Sequence, residues 1–331
     1  MFFSIITCAH NPDLSIFERL VKAVDSLKLT NELDFEWIIV DNNSSVAIEN
    51  ITFIQKFLSD NGRLKVIKEF KPGLTNARIT GVNNSKGDWI IFFDDDNEPK
   101  ADYLLNSFLL CKSFPNVRCW GPGIVSVEFT EGETEGWLLD KKFIFQEKFV
   151  AGNLYSNANH WVDVYPAGTG LVIKREMLEN YILKINSGDY TLTDRLGDEL
   201  SSGGDTQIVF NVVKNGFCAG VSESLVINHL INKKKRSFHY LKRLFYLTNS
   251  SYLKAHNEVF VDSPFPLVYK NNLQIIKKII KWVLLNRKNL FDRYCLLIFF
   301  REMGDINRPY LYSNKLSKPL TLKVLEYIIK S

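Results

Sequence analysis

The chain has 331 residues, 46% hydrophobic and 24% charged, an ordinary globular composition that excludes a disordered or fibrous chain and allows one substantial α/β domain plus an appended region. Its net charge of +4 is too small to point to nucleic acid as a partner. The cysteines, Cys8, Cys111, Cys119, Cys218 and Cys295, are odd in number and form no CxxC pair, which argues against a disulfide framework or a structural zinc and for reduced thiols in a cytoplasmic protein.

Met1 to Ile6 leads directly into Asn11-Pro12 with no basic leader or small-residue cleavage site, so no secretory signal is expected. No apolar run approaches the roughly 20 residues of a membrane-spanning helix. Phe2 to Thr7 reads as a strand stopped by Asn11-Pro12-Asp13, and Leu14 to Leu27 has helical spacing, with Ile16, Leu20, Val24 and Leu27 on one face. Phe35 to Val40 is a second strand ending in Asp41-Asn42-Asn43-Ser44-Ser45; Ile48 to Leu58 reads as a helix and Leu64 to Ile67 as a strand. Thr75 to Asn83 is a further helix, and Trp89 to Phe93 a fully apolar strand. Continuous apolar strands alternating with helices describe parallel strands buried on both faces, with the ligand at their carboxyl ends. Polar clusters fall there: His10-Asn11, Asp41-Asn42-Asn43 and Asp94-Asp95-Asp96.

From Asp102 to Ile231 short strands, glycine turns and helices mix, with Leu171 to Ile173 as a strand and Thr206 to Asn215 as a helix. From Lys233 onward basic amphipathic segments follow, including Leu273 to Asn286 and Phe291 to Phe300. The expected divisions are residues 1–235, with a nucleotide-binding half to 100 and an acceptor-side half after it, and a mainly helical basic region at 236–331.

The acidic run after the apolar strand carries the most chemistry. Adjacent carboxylates repel one another unless a cation is present, and Mg2+ or Mn2+ takes oxygen ligands while bridging to substrate phosphates. A solvated turn capping the next helix is the bland alternative; Pro99 in place of a mid-loop glycine argues against an EF-hand.

These stretches, in order, resemble the family 2 glycosyltransferases. Ser4 to Asn11 is similar to the opening strand, Trp37 to Ser45 to the second strand and its aspartate turn, and Gly73-Leu74-Thr75-Asn76-Ala77-Arg78 to the segment before the DxD strand. Asp94-Asp95-Asp96 resembles the DxD motif, Gly168 to Arg175 a later strand bordering the acceptor side, and Gly203-Gly204-Asp205-Thr206 the segment that carries the catalytic base. The departures are Ala9-His10 for the usual Thr-Tyr, Ile79 for an asparagine, and Gly204 for the glutamate that usually precedes the base.

The resemblance implies a GT-A type α/β fold: a doubly wound mixed sheet flanked by helices, here with a helical C-terminal extension. It implies metal-dependent transfer of a sugar, with inversion, from a nucleotide-sugar donor to the hydroxyl of a saccharide or lipid-linked acceptor. Ala9, His10, Asn11, Asp41, Asn43, Arg78, Asp94 and Asp95 would then meet the nucleotide sugar, Asp96 and His229 the Mn2+ or Mg2+ ion, and Asp205 would be the base. Asp198 and Glu199 are rivals for that role. Arg236 is the preferred phosphate contact of the run Lys233 to Arg236. Trp120 and Trp137 are weighed as acceptor-stacking rings against plain core packing. Each residue has a modest reading too: an Asx turn for Asp41, a helix cap for Asp205, a structural histidine for His229.

A sugar-nucleotide nucleotidyltransferase would need a glycine-rich basic loop after the first strand, and Cys8 to Asp13 has neither glycine nor lysine. An inactive sugar-binding scaffold would have lost the acidic cluster or the base. The expected location is cytoplasmic. Ile275 to Leu285 places lysines between apolar residues at helical spacing, which suits either packing on the domain or the inner face of an anionic membrane.

Overall fold

The computed structural model describes residues 1–60, 62–192, 194, 203–313 and 316–330, leaving out the side chain of residue 330. In chain order it runs β1 (Phe2–Ala9), α1 (Leu14–Asp25), β2 (Asp34–Asp41), α2 (Thr52–Asp60), β3 (Leu64–Lys68), α3 (Leu74–Asn83), β4 (Trp89–Phe92), β5 (Asn97–Pro99) and α4 (Tyr103–Ser113). Then come β6 (Val117–Phe129), α5 (Gly136–Leu139), β7 (Lys148–Phe149), β8 (Asn153–Ser156), β9 (Leu171–Lys174), α6 (Arg175–Asn186), α7 (Gly204–Lys214) and β10 (Cys218–Ile231). The chain continues through α8 (Lys233–Arg236), α9 (Phe238–Val259), α10 (Asn272–Leu285), α11 (Arg293–Tyr312) and α12 (Leu320–Lys330).

One mixed sheet holds these strands in the order β3-β2-β1-β4-β9-β6-β10-β5, with β7 on β6 and β8 on β10. β3, β2, β1 and β4 are parallel, as their apolar runs predict. β9 enters antiparallel between β4 and β6. β4 is buried along its whole length. Helix α1 starts where Asp13 accepts hydrogen bonds from Ser15 N at 3.1 Å and Ile16 N at 3.4 Å, and it buries Ile16, Phe17, Leu20 and Val24.

The structure departs from the sequence expectations in three places. The helix expected over 48–58 is a short 3-10 turn, Ile48–Asn50, followed by α2. The break comes at Ile51, whose backbone is extended. The strands β6 and β10 are 13 and 14 residues long and pair in parallel, where only short strands were expected. Gly121-Pro122-Gly123 and Ser222-Glu223-Ser224 punctuate them, and the register shifts between Ser222 and Val226. Helix α11 is capped at its start by Asp292, which accepts from Cys295 N at 2.7 Å, and extends well past Phe300, through Pro309, to Tyr312.

The C-terminal helices do not stand apart from the sheet. Leu241 of α9 and Leu297 of α11 share a core with Val127, Leu138, Phe145 and Ile231. A second cluster joins Tyr246, Ile275, Phe300, Met303, Leu322 and Leu325. Among the described residues no helix is long and apolar enough to cross a membrane, and all the cysteines are free thiols.

Candidate active site

A cavity of about 1030 Å³ opens at the carboxyl ends of β1 and β4. Its floor is Cys8–Asp13, Asn42, the Pro72–Leu74 turn and Asp94–Asp96; its far wall is Phe143–Gln146, His229–Asn232, Lys234, Lys235 and the inner faces of α9 and α11.

The β1 and β2 turns are locked to each other. Asn11, with φ of 48°, accepts from Ser45 N and Ser45 Oγ at 2.8 Å, and its own N–H donates to Ser44 Oγ at 3.0 Å. His10 Nδ1 donates to Asn42 O at 2.8 Å. Asn42 fastens the next turn, donating to Lys71 O at 2.9 Å and accepting from Gly73 N at 2.8 Å. Gly73 has φ of 118°, a conformation that favours glycine. Ala9, His10 and Asn11 thus lie on the cavity lining, and Asn42, named in the polar cluster after the second strand but not among the expected ligand contacts, lies there with them.

Asp41 and Asn43 do not line the cavity. Asp41 is buried, and its carboxylate accepts Ser44 N at 2.8 Å and Ile48 N at 3.1 Å. These contacts reach three and seven residues on rather than the two of an Asx turn, and they commit both oxygens to the backbone. Asn43 is an exposed turn residue with φ of 61°.

Asp94 and Asp95 are half-buried, and Asp96 is buried. Asn97 orders the turn: its Oδ1 accepts Asp94 N at 3.1 Å and its Nδ2 donates to Asp96 Oδ1 at 3.0 Å. Asp96 Oδ2 meets Lys235 Nζ and lies 3.4 Å from His229 Nε2. Burial opposes the charge on Asp96, but Lys235 and His229 hold its carboxyl well below the usual carboxylate range. His229 Nδ1 is 2.8 Å from Phe145 O, which only accepts, so Nδ1 carries the proton. Nε2 then faces Asp96 Oδ2, donating to it when the ring is protonated and sharing with it the cation Lys235, or a metal ion in its place, when the ring is neutral. A histidine fixed by a carbonyl on one nitrogen and facing a carboxylate with the other suits a divalent ion. Among the described residues no group of three or more acidic, histidine or cysteine side chains gathers in metal-binding range, so Asp96 and His229 would share such an ion with substrate oxygens or water.

Arg236 is a correction to the sequence reading. Its side chain turns away from the cavity to Thr130 O at 2.7 Å, Glu131 O and Thr134 Oγ1, with its guanidinium over Phe129. The cavity-facing members of the basic run are Lys234 and Lys235. A sequence run of four cations carries no sign of which one faces inward; the cap at Asn232, which accepts Lys235 N at 3.0 Å, decides it.

Arg78 and Asp205 meet beside the cavity. Arg78 Nη1 lies 2.6 Å from Asp205 Oδ1 and 3.2 Å from Asp194 Oδ2, with the guanidinium over Phe92. Burial disfavours the charge on Arg78, but Asp205 and Asp194 keep it protonated. Asp205 sits against Gly168, where a Cβ would come within 2.1 Å of its Oδ2, and Thr169 next to it lines the cavity. Asp198 and Glu199 lie outside the described residues. Trp120 is fully buried, and Trp137 donates to Glu135 Oε2 at 2.9 Å; neither lines the cavity.

This mixed sheet, with an acidic turn after β4 and a nucleotide-sized cavity at the strand ends, defines a GT-A type α/β protein. Residues 4–115 match the family model of glycosyl transferase family 2. Over 186 residues the chain is 27% identical to a GalNAc(5)-diNAcBac-PP-undecaprenol beta-1,3-glucosyltransferase of Campylobacter jejuni, covering 51% of this chain and 54% of that protein. Over 93 residues it is 29% identical to the glycosyltransferase GlyA of Streptococcus pneumoniae, covering 28% of this chain and 13% of that one. The matched regions thus span about half, or less, of the curated relatives' own length. The crystal structure of GalNAc-T7 with UDP, GalNAc and Mn2+ superposes with a TM-score of 0.51 at 14% identity, over 99% of this chain and 58% of that one, a likeness of fold.

Proposed function

We propose that this protein transfers a sugar, with inversion, from a nucleotide-sugar donor to the hydroxyl of a saccharide acceptor, in the assembly of a cell-surface polysaccharide or a lipid-linked oligosaccharide. The carrying observation is the pairing of Asp96 with His229 at the carboxyl end of β4, facing the cavity rimmed by the β1 and β2 turns. The nucleotide and its ribose lie along Ala9–Asn11, Asn42 and Asp94. Lys235 is within reach of the diphosphate once it leaves Asp96. Asp96 and His229 would hold a divalent ion, Mn2+ or Mg2+, which would supply charge neutralisation for the departing diphosphate. Asp205, 28% exposed at its side chain, accepts the proton of the acceptor hydroxyl as that oxygen attacks the anomeric carbon, a role typically worth ~10²–10⁴-fold in rate. Attack opposite the leaving group inverts the anomeric centre.

The Campylobacter relative is named for a PP-undecaprenol substrate, which favours a lipid-linked acceptor here and a site at the inner face of a membrane. The outward side of α10 fits that setting: Leu273, Ile276, Ile280 and Leu284 are exposed with Lys277 and Lys281 beside them.

The test is Asp205→Asn, assayed for transfer from UDP-, GDP- and dTDP-sugars with Mn2+ and, separately, for binding of the free nucleotide. Loss of transfer with binding retained is the expected result. Near-normal transfer by this variant sinks the assignment of the base, and release of inorganic diphosphate from a nucleoside triphosphate plus a sugar phosphate would instead make it a nucleotidyltransferase.

A further inference from the structure

Helix α7 begins at Gly204 with no side-chain cap of its own. The cap comes from elsewhere in the chain: Asp194 Oδ1 accepts Gly203 N and Gly204 N, each at 3.0 Å. Asp194 is 4% exposed at its side chain. Its other oxygen, Oδ2, takes Arg78 Nη1 at 3.2 Å, the same nitrogen that touches Asp205 Oδ1 at 2.6 Å. One guanidinium nitrogen therefore bridges two carboxylates, an inner one sealed from solvent and an outer one that is not. Asp194 N also donates to Thr75 Oγ1 at 3.2 Å, tying this point to the start of α3.

The fit is steric as well as electrostatic. A Cβ added at Gly204 would stand 2.2 Å from Asp194 Oδ2. The side-chain volume that position 204 gives up is occupied by the carboxylate of Asp194. Position 204 is also where the family resemblance expects a glutamate.

We propose that Asp194 is a positioning residue for Asp205, supplying through space the carboxylate that position 204 lacks. This rests on Asp205 as the base. Asp194 acts in two ways. It fixes the first turn of α7, and so the direction of the Asp205 side chain one residue inside it. It also holds Arg78 on its inner side, so that the guanidinium cannot close into a two-pronged pair with Asp205, the geometry arginine favours with a lone carboxylate. Two carboxylates against one guanidinium leave one net negative charge, and burial places it on the outer, solvent-facing member.

The experiment uses the full chain, a UDP-sugar that the wild type turns over with Mn2+, and UDP itself for binding. Asp194→Asn keeps an oxygen for Gly203 N and Gly204 N but removes the charge opposing Arg78. Its expected kcat is lower on the order of 10²-fold, the scale of a base misplaced by about 1 Å, with donor KM and UDP affinity unchanged even though breaking the buried ion pair lowers Tm. A purely structural role would move Tm and binding together. In an Arg78→Gln background Asp194→Asn costs no further kcat, because the bridge is already gone. Wild-type kcat in Asp194→Asn, or an additive loss in the double variant, overturns the inference. Asp205→Asn separates it from the reading it rests on: an active Asp205→Asn sinks the base, whereas an inactive Asp205→Asn beside a fully active Asp194→Asn sinks only the role of Asp194.

Discussion

His229 faces Asp96 across 3.4 Å with its far nitrogen already committed to Phe145 O. Both facing atoms are acceptors in the neutral ring, and a cation beside them, Lys235 here or a metal ion in its place, reconciles them. Replacing Asp96 with Ala should therefore abolish the Mn2+-dependent part of nucleotide binding and turnover while the fold persists, since β4 and its turn keep their backbone partners. Calorimetry of UDP with and without Mn2+ reads this directly. Equal metal dependence in wild type and variant would remove Asp96 from the site.

The basic run separates into two jobs. Lys235→Met should weaken nucleotide binding, because Lys235 reaches the acidic turn from inside the cavity. Arg236→Met should leave binding alone and lower stability by about 1–3 kcal/mol, the cost of leaving buried carbonyls such as Thr130 O without their charged donor. Binding isotherms and urea midpoints on the two variants tell them apart; the reverse pattern would reinstate Arg236 as the phosphate contact.

Buried thiols give an alkaline limit. Burial pushes Cys119 well above an ordinary thiol, with Asp205 and Cys111 adding to it, and burial also raises Cys111 against the pull of Lys174 and Arg118. Their stabilising contribution is complete below the unfolded value of 9.0 and is lost as pH rises toward the folded one, because the unfolded chain releases protons that the folded chain keeps. The slope is at most ~1.4 kcal/mol per pH unit for each thiol. Urea midpoints should fall between pH 8 and pH 10, and less steeply in Cys119→Ala. An identical slope in that variant would show that Cys119 is not part of the effect.

The exposed side of α10 predicts attachment to anionic lipid. Ile275 and Trp282 point into the domain, Trp282 against Phe299 of α11, and Lys278 pairs with Glu302 at 3.4 Å. Lys277 and Lys281 are exposed beside the apolar stripe and each adds ~1 kcal/mol of attraction near such a surface. The protein should float with phosphatidylglycerol liposomes at low salt, and Lys277→Glu with Lys281→Glu should abolish flotation with Tm unchanged. A wild type that stays at the bottom of the gradient ends this reading.

The first hundred residues were largely legible because most of their elements are local. Apolar runs mark β1, β2 and β4, and the polar turns at Asn11-Pro12-Asp13, Asp41-Asn42-Asn43 and Asp94-Asp95-Asp96 mark where they stop. The other half was not, since its decisive contacts join distant stretches. Nothing in the residues around 120 or 222 says that two strands broken by Gly-Pro-Gly and Ser-Glu-Ser will pair. Asp194 carried no motif, and its meaning appears only once Gly204 and Arg78 are brought against it. Arg78 was expected at the nucleotide and is found holding Asp205 instead. For Lys235 and Arg236 the choice rested on one helical cap, a detail finer than a run of like charges can convey.

The parallel pairing of β6 with β10 also sets an order of events for the growing chain. Val117 meets Cys218 and Phe129 meets Ile231, partners about a hundred positions apart, and such distant pairings are slow to form. β3, β2, β1 and β4 can assemble from neighbouring strand–helix units as they are synthesised. One long edge of β6 has to wait, unpaired, until residue 231 has been made, and an open edge of that length is a template for other chains. Anything that ends translation before β10 is complete should yield aggregates rather than a smaller folded protein. Slowing synthesis, by lowering the temperature of expression, should raise the soluble yield.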